Sequence, residues 1–489
     1  MKKGDEIMTE LTVQTRCGAL KGTAGHGVRT WKSIPYAKPP VGELRFKAPE
    51  PPVPWDGVKN ADSFGPVCPQ PADLLSMSFS GDVPPQSEDC LYLNVFAPDS
   101  EGGKRPVMVW IHGGAFFLGA GSEPTYDASA LAADGDVIVV TLNYRLGPFG
   151  FLHLFSIDDT YPGNIGMLDQ IAALRWVKDN ISAFGGDPDN VTVFGESAGG
   201  MSIASLMAMP DAKGLFHKAI LESGASQTMT ADVAKEITTA FIQEAGTDQL
   251  QELSVNDILK TADKLRNTID QSIFHLLFQP AIDPATLPAE PAKAIADGAA
   301  EGIPMIIGTN RDEAYLFFTP DTDIHSEKKQ QEYLLYHLGE NSAKLAADLY
   351  PHSLTGQIDM MTDLKFWRPA VAFAQEQSQY APVWMYRFDW HGETPPFHKA
   401  VHALELPFVF GNFDSLKKTL KEPLSEDVKQ LSKLIQSAWI AFAKTGKPDT
   451  DQLHWPQYET GSRETIIFNT SVSTESDPDS AKRRILFQA

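Results

Sequence analysis

One stretch limits what this chain can fold into more than any other: Asn190-Val191-Thr192-Val193-Phe194-Gly195-Glu196-Ser197-Ala198-Gly199-Gly200. Its first half alternates β-branched and aromatic residues, as a short buried strand does. Its second half is Gly-x-Ser-x-Gly, and Met201 to Met209 continues as an apolar helix. A serine flanked by glycines between a strand and a helix is the context of a nucleophile elbow, in which strained dihedrals hold the hydroxyl out at the C-terminal edge of a sheet. The pattern by itself is short enough to arise as an ordinary Gly/Ser turn, so its meaning depends on partners elsewhere in the chain.

The surrounding order is that of an α/β protein. Cys90 to Phe96 and Val107 to Ile111 read as strands, and a Gly-rich loop, His112-Gly113-Gly114-Ala115-Phe116-Phe117, follows the second directly. Val137 to Asn143 is another buried strand, and Ile165 to Asn180 has helical spacing. Strands then recur at Ala219 to Gly224, Pro304 to Asn310 and Ala381 to Trp390. Such alternation implies a large, mostly parallel central sheet flanked by helices. Leu11 to Trp31 reads as a β-meander, and Cys68 to Cys90 as a Pro-rich loop. Residues 230 to 300 are helix-rich and amphipathic, broken at Pro280, Pro284 and Pro288, and read as a helical insertion capping the sheet. Leu431 to Lys444 reads as a closing helix stopped at Gly446.

The 489 residues are 42% hydrophobic, enough for one large core. The expectation is a flexible tail over residues 1–8, with Met8 a candidate original start, and a single domain over 9–489. The formal charge is −22, with no basic run, which disfavours nucleic acid and anionic membrane as partners. No apolar stretch reaches the length of a transmembrane helix. Met1 to Ile7 lacks the apolar core of a secretory signal. With three cysteines, Cys17, Cys68 and Cys90, this favours reduced thiols in a cytoplasm. A monomer acting on small molecules is expected.

A serine hydroxyl needs a histidine to take its proton and a carboxylate to orient that histidine. In elbow-bearing folds the order is serine, acid, histidine. Glu313, just after the 304 to 310 strand, suits the acid, with Asp312 its competitor. His398 and His402 share a loop before an apolar segment, and position alone does not choose between them. The oxyanion of an acyl transfer needs backbone donors; Ala198, Gly114 and Ala115 are the natural ones. His112 is then a turn residue and not a base. No CxxC pair, HExxH, GxxxxGK[ST] or strand-linked GxGxxG is present, so no metal or cofactor is implied.

Taken together these segments resemble the type-B carboxylesterases, the cholinesterase-like branch of the α/β-hydrolases, and look most like the bacterial para-nitrobenzyl esterases. The resemblance rests on Ile34-Pro35-Tyr36-Ala37 through Arg45-Phe46, on Ser87 to Val95, on the 112 to 117 loop and on Phe194 to Gly200. Asn310 to Glu313 and His402 to Gly411 are similar to the segments of the family that hold its acid and histidine. The resemblance implies an α/β-hydrolase fold and a serine carboxylesterase acting through an acyl-enzyme on small to medium acyl, aryl or benzyl esters. It implies Ser197 as nucleophile, Glu313 as orienting acid, His402 as general base, and Gly114, Ala115 and Ala198 as oxyanion hole. It also implies Arg45–Glu88 and Arg145–Asp169 ion pairs, and buried polar roles for Glu196 and Ser223. Ser33 departs from the glycine common in relatives. Cys68 and Cys90 match a pair that is disulfide-bonded in secreted relatives, a bond the cytoplasmic reading makes doubtful. The loop between them lacks the tryptophan with which cholinesterases bind quaternary ammonium, so choline esters are not expected to be favoured. Phe116, Phe117, Phe274, Leu276, Phe317, Phe318, Met361 and Phe366 are candidate pocket walls, each weighed against plain core packing. The alternatives are a carbamate or thioester hydrolase with the same triad, and a non-catalytic binding module.

Overall fold

Thirteen strands of the described residues make one sheet, and its middle is built from the longest apolar runs of the chain. In chain order they are β1 (Thr9–Gln14), β2 (Ala19–Gly25), β3 (Val28–Pro35), β4 (Val58–Asn60), β5 (Tyr92–Pro98), β6 (Arg105–Ile111), β7 (Ile138–Leu142), β8 (Gly186–Glu196), β9 (Lys218–Glu222), β10 (Met305–Asn310), β11 (Val383–Phe388), β12 (Glu464–Phe468) and β13 (Ser473–Ser476). The structure, a computed structural model, describes residues 9–72, 84–100, 102–268, 276–319, 322, 324–414, 416 and 424–487. The expected tail over residues 1–8 and the candidate wall residue Phe274 lie outside the described residues.

The spatial order is β1-β2-β3-β5-β7-β6-β8-β9-β10-β11-β12-β13, with β4 beside β2. From β7 to β12 every neighbouring pair is parallel; β1 to β5 and the β5–β7 and β12–β13 contacts are antiparallel, apart from the parallel β2–β4 pair. A parallel sheet is covered on both faces, so its strands are apolar without alternation. All five residues of β7 and of β9 are buried. Along β6, Val107, Val109 and Ile111 join one core with the helices Ile165–Asn180 and Ala198–Ala208, while Met108 and Trp110 join another with the helix Glu426–Thr445. This is the α/β-hydrolase architecture implied by the resemblance.

The order reverses at β6, which has β7 on one side and β8 on the other. Ligands of open α/β sheets bind in the crevice at such a switch point, outside the carboxyl ends of the strands. The loop after β6 and the turn after β8 therefore open into the same crevice.

The insertion after β9 is helical, with Ala231–Ala245, Val255–Thr268 and Pro291–Ala296. Two expectations are corrected. The late helix starts earlier than its apolar pattern, at Glu426, because the Ser425 hydroxyl caps it by accepting from the Val428 N–H. Nor does it close the fold, since β12, β13 and the Ser480–Leu486 helix follow. Ser33 sits at the register shift between Trp31 and Ile34 with φ of 56°. That left-handed conformation is the physical reason glycine suits the position.

The two expected ion pairs are present, Arg145–Asp169 fully buried and Arg45–Glu88 partly buried. Arg45 meets Glu88 through two 2.6 Å hydrogen bonds, and Arg145 grips Asp169 at 2.7 and 2.8 Å. Cys68 and Cys90 are both buried free thiols; the hydrogen bond with Cys68, and then burial, push the Cys90 thiol well up.

Candidate active site

At the end of β8 the chain reverses through Ser197, whose φ of 54° and ψ of −121° are strained for a residue with a side chain. Two backbone bonds fix the turn: the Ser197 N–H donates to the Glu222 carbonyl of β9 at 2.9 Å, and the Met201 N–H to the Ser197 carbonyl at 2.9 Å. Gly199 is required by proximity, because a Cβ there would lie 1.9 Å from the Ile111 carbonyl oxygen. The sequence of the elbow thus packs the Ala198–Ala208 helix directly on β6 and leaves Ser197 at the switch point.

The chain after β10 brings in Glu313, the candidate acid. Glu313 is fully buried, and its carboxylate has two partners: one oxygen accepts from the Asn310 N–H at 2.7 Å, the other lies 2.6 Å from His402 Nδ1. The His402 N–H also donates to the Glu313 carbonyl at 3.2 Å, so backbone and side chain both hold the histidine loop against β10. Phe317 and Phe366 pack on the imidazole with ring centroids at 5.2 and 4.8 Å. Of the two candidate histidines, His398 is exposed, while His402 is buried and meets a carboxylate. Asp312 turns elsewhere, accepting from the Ala400 N–H at 3.2 Å.

The other side of the imidazole faces the cavity. His402 Nε2 lies 3.0 Å from Glu196 Oε1, out of line for a hydrogen bond, so the contact is Coulombic and Nε2 is not tied to it. Burial pushes the Glu196 carboxyl up to about 8 against the pull of His402. Burial pulls His402 down, but Glu196 and Glu313 together more than offset this and leave it raised to about 9. The two groups are therefore coupled in their titration.

The Gly-rich loop after β6 is wound in the left-handed region over Gly114, Ala115 and Phe116, at φ of 97°, 55° and 60°. Phe117 and Leu118 N–H groups close it by donating to the Gly114 carbonyl. Among the described residues nothing accepts from the Gly114, Ala115 or Ala198 N–H. Unused backbone donors converging on one crevice are what a developing oxyanion needs. His112 points away: its Nδ1 is 2.9 Å from the Gly113 carbonyl, its ring stacks on Tyr144, and burial pulls its pKa down to about 4.

A cavity of about 740 Å³ is bounded by Gly114, Ala115, Ser197, Glu196 and His402. Of the candidate wall residues, Leu276, Phe317, Met361 and Phe366 line it. Phe116 and Phe117 do not: Phe116 is buried against Phe151, and Phe117 stacks on Phe278. Phe318 is also outside the lining. Ser223 is fully buried behind the elbow, its N–H donating to the Gly308 carbonyl. Sequence reasoning missed Asn310, whose side chain donates to the Val401 carbonyl and to Glu405, and Lys365, which lines the cavity. A polar residue at a strand end, and a lysine inside Met360-Met361-Thr362-Asp363-Leu364-Lys365-Phe366-Trp367, were the available signals.

The profile described as the carboxylesterase family matches residues 9–485. Para-nitrobenzyl esterase of Bacillus subtilis is 62% identical over 98% of this chain and 99% of its own length. A phenmedipham hydrolase of Pseudarthrobacter oxydans is 35% identical over 92% of this chain and 94% of its own. A solved structure of a para-nitrobenzyl esterase superposes with a TM-score of 0.96, at 62% identity, over 98% of this chain and 100% of the other. A carboxylesterase structure from Geobacillus stearothermophilus superposes with a TM-score of 0.86, at 39% identity, over 97% of this chain and 99% of the other.

Proposed function

The chain belongs to the carboxylesterase family and is a carboxylic ester hydrolase, and from that premise we propose that Ser197, His402 and Glu313 are its catalytic triad. The observation that carries the reading is the buried His402, clamped by Glu313 at 2.6 Å on one nitrogen and open on the other to the cavity that holds Ser197. Ser197 Oγ attacks the ester carbonyl as His402 Nε2 takes its proton. Glu313 fixes the tautomer and stabilises the imidazolium. The tetrahedral oxyanion accepts hydrogen bonds from the Gly114, Ala115 and Ala198 N–H groups. Its collapse expels the alcohol, protonated by His402, and leaves an acyl-enzyme. Water, deprotonated by His402, then attacks the acyl carbon, and the carboxylic acid departs. Closure of the Ser197–His402 contact in the substrate complex is ordinary for apo sites.

The apolar walls, and the para-nitrobenzyl esterase activity by which a 62% identical relative is named, support aryl and benzyl esters of small to medium acids as substrates. Replacing Ser197 by alanine should lower kcat on para-nitrophenyl acetate by roughly four orders of magnitude or more, with unchanged circular dichroism. A loss of only a few-fold rejects Ser197 as nucleophile.

The same reading makes residues 9–489 one domain, and the chain a monomer of the cytoplasm, for which the free Cys68 and Cys90 thiols are the support. Sedimentation equilibrium should give the mass of one chain, 53.6 kDa; twice that mass contradicts the monomer. Thiol titration of protein taken directly from the cell should find both cysteines reduced; a disulfide contradicts the cytoplasm.

A further inference from the structure

One wall of the cavity is a helix that runs Leu354–Thr362 and continues through the π-turn Asp363–Trp367. A π-turn changes which side chains share a helix face, and such turns recur at functional sites. Here Met361, Lys365 and Phe366 line the cavity. Asp363 and Trp367 line a separate polar cleft, where Asp363 accepts from the Lys482 ammonium at 2.7 Å and the Tyr350 hydroxyl at 2.8 Å. Asp359 lines that same cleft. The helix thus directs its carboxylates to one side and its lysine to the other.

Among the described residues Lys365 has no counter-charge. Among the described residues no carboxylate lies within ion-pair distance of it and nothing accepts a hydrogen bond from it. It is also the only lysine or arginine among the described residues that line the cavity. Burial alone acts on the ammonium and pulls it down to about 8. The carboxylates that share the wall are already engaged: Glu196 faces His402, and Glu123 accepts from the Ala120 N–H at 3.1 Å. A half-buried ammonium with no partner among the described residues is one that an anion entering the cavity can pair with.

Resting on the ester-hydrolase reading of this cavity, we propose that Lys365 is a specificity-determining residue that selects esters carrying a second, anionic group, a carboxylate remote from the scissile bond. An ammonium–carboxylate pair is a charge-assisted hydrogen bond, stronger than a neutral one. Because the remote carboxylate is unchanged as the ester reacts, the pair forms equally in ground and transition states and acts on KM more than on kcat. The surface cannot supply such a preference. At a formal charge of −22 the protein repels anions in general, and salt screens that field within about 10 Å.

Two matched pairs of esters test this and locate the carboxylate. Para-nitrophenyl hydrogen adipate against para-nitrophenyl hexanoate places it in the acyl half. 4-Carboxyphenyl acetate against 4-methylphenyl acetate places it in the alcohol half. The readout is the anionic-to-neutral ratio of kcat/KM within each protein, which cancels differences in intrinsic reactivity and in folding. Lys365→Met should lower that ratio about tenfold to a hundredfold in at least one pair, chiefly through KM. Lys365→Arg should retain it, and the pair that responds identifies the half. A ratio unchanged by Lys365→Met in both pairs overturns the proposal while neutral-ester turnover leaves the hydrolase reading standing. No turnover of any ester by the wild type overturns both.

Discussion

Two carboxylates meet the two nitrogens of His402 on different terms. Glu313 makes a 2.6 Å hydrogen bond to Nδ1, which fixes the tautomer; Glu196 sits 3.0 Å from Nε2 but off line, which leaves that nitrogen free to act. Both favour the imidazolium and, after burial has lowered it, raise His402 to about 9. In the proposed mechanism His402 works as base only when neutral, so the acid limb of kcat/KM reports its titration. Glu196→Gln removes one anion that stabilises the cation. His402 then loses its proton at lower pH, and the acid limb should move to lower pH by on the order of one unit. The pH dependence of kcat/KM for para-nitrophenyl acetate is the check, and an unmoved limb would show that Glu196 does not set the base. At this scale the sequence pointed to Ser197 and Glu313 as candidates, because each follows a strand end. It left His398 and His402 open, since a separation of four residues in a loop does not say which ring turns inward. Asn310 and Lys365 were not legible, since their significance lies in neighbours far along the chain.

At the scale of elements the elbow is a packing problem before it is a chemical one. Its helix rides so close to β6 that a side chain at Gly199 would strike the Ile111 carbonyl at 1.9 Å. That oxygen is backbone in the middle of a sheet, which cannot retreat as a flexible side chain would. Gly199→Ala should therefore destabilise the fold by about 3 kcal/mol or more, measured by urea unfolding. A cost below about 1 kcal/mol would mean that helix and strand can separate, and with them the Ser197 turn. The buried strands were legible as apolar runs, and Ile165–Asn180 had both ends readable. The start of Glu426–Thr445 was not, because its first turn is polar and its cap, Ser425, lies outside the apolar pattern. The helix bearing Lys365 was not singled out either. Its π-turn breaks the period on which recognition of a helix depends.

Across the whole molecule the site is assembled from segments that sequence distance holds apart. The 112 to 117 loop follows β6, Ser197 follows β8, Glu313 follows β10, and His402 comes from the long connection after β11. What gathers them is the reversal of strand order at β6, which opens one crevice at the carboxyl ends of adjacent parallel strands. The class of sheet was readable from alternating strands and helices, but the order of its strands was not, since each depends on pairing across the chain. The described part of the molecule contains no helix long and apolar enough to cross a membrane. The central claim is that this crevice activates one serine, and only one. Intact-protein mass after treatment with a fluorophosphonate, followed by peptide mapping, measures that directly. One equivalent per chain is expected, on Ser197, with parallel loss of para-nitrophenyl acetate hydrolysis. No adduct, or an adduct on another residue with hydrolysis abolished, would contradict it.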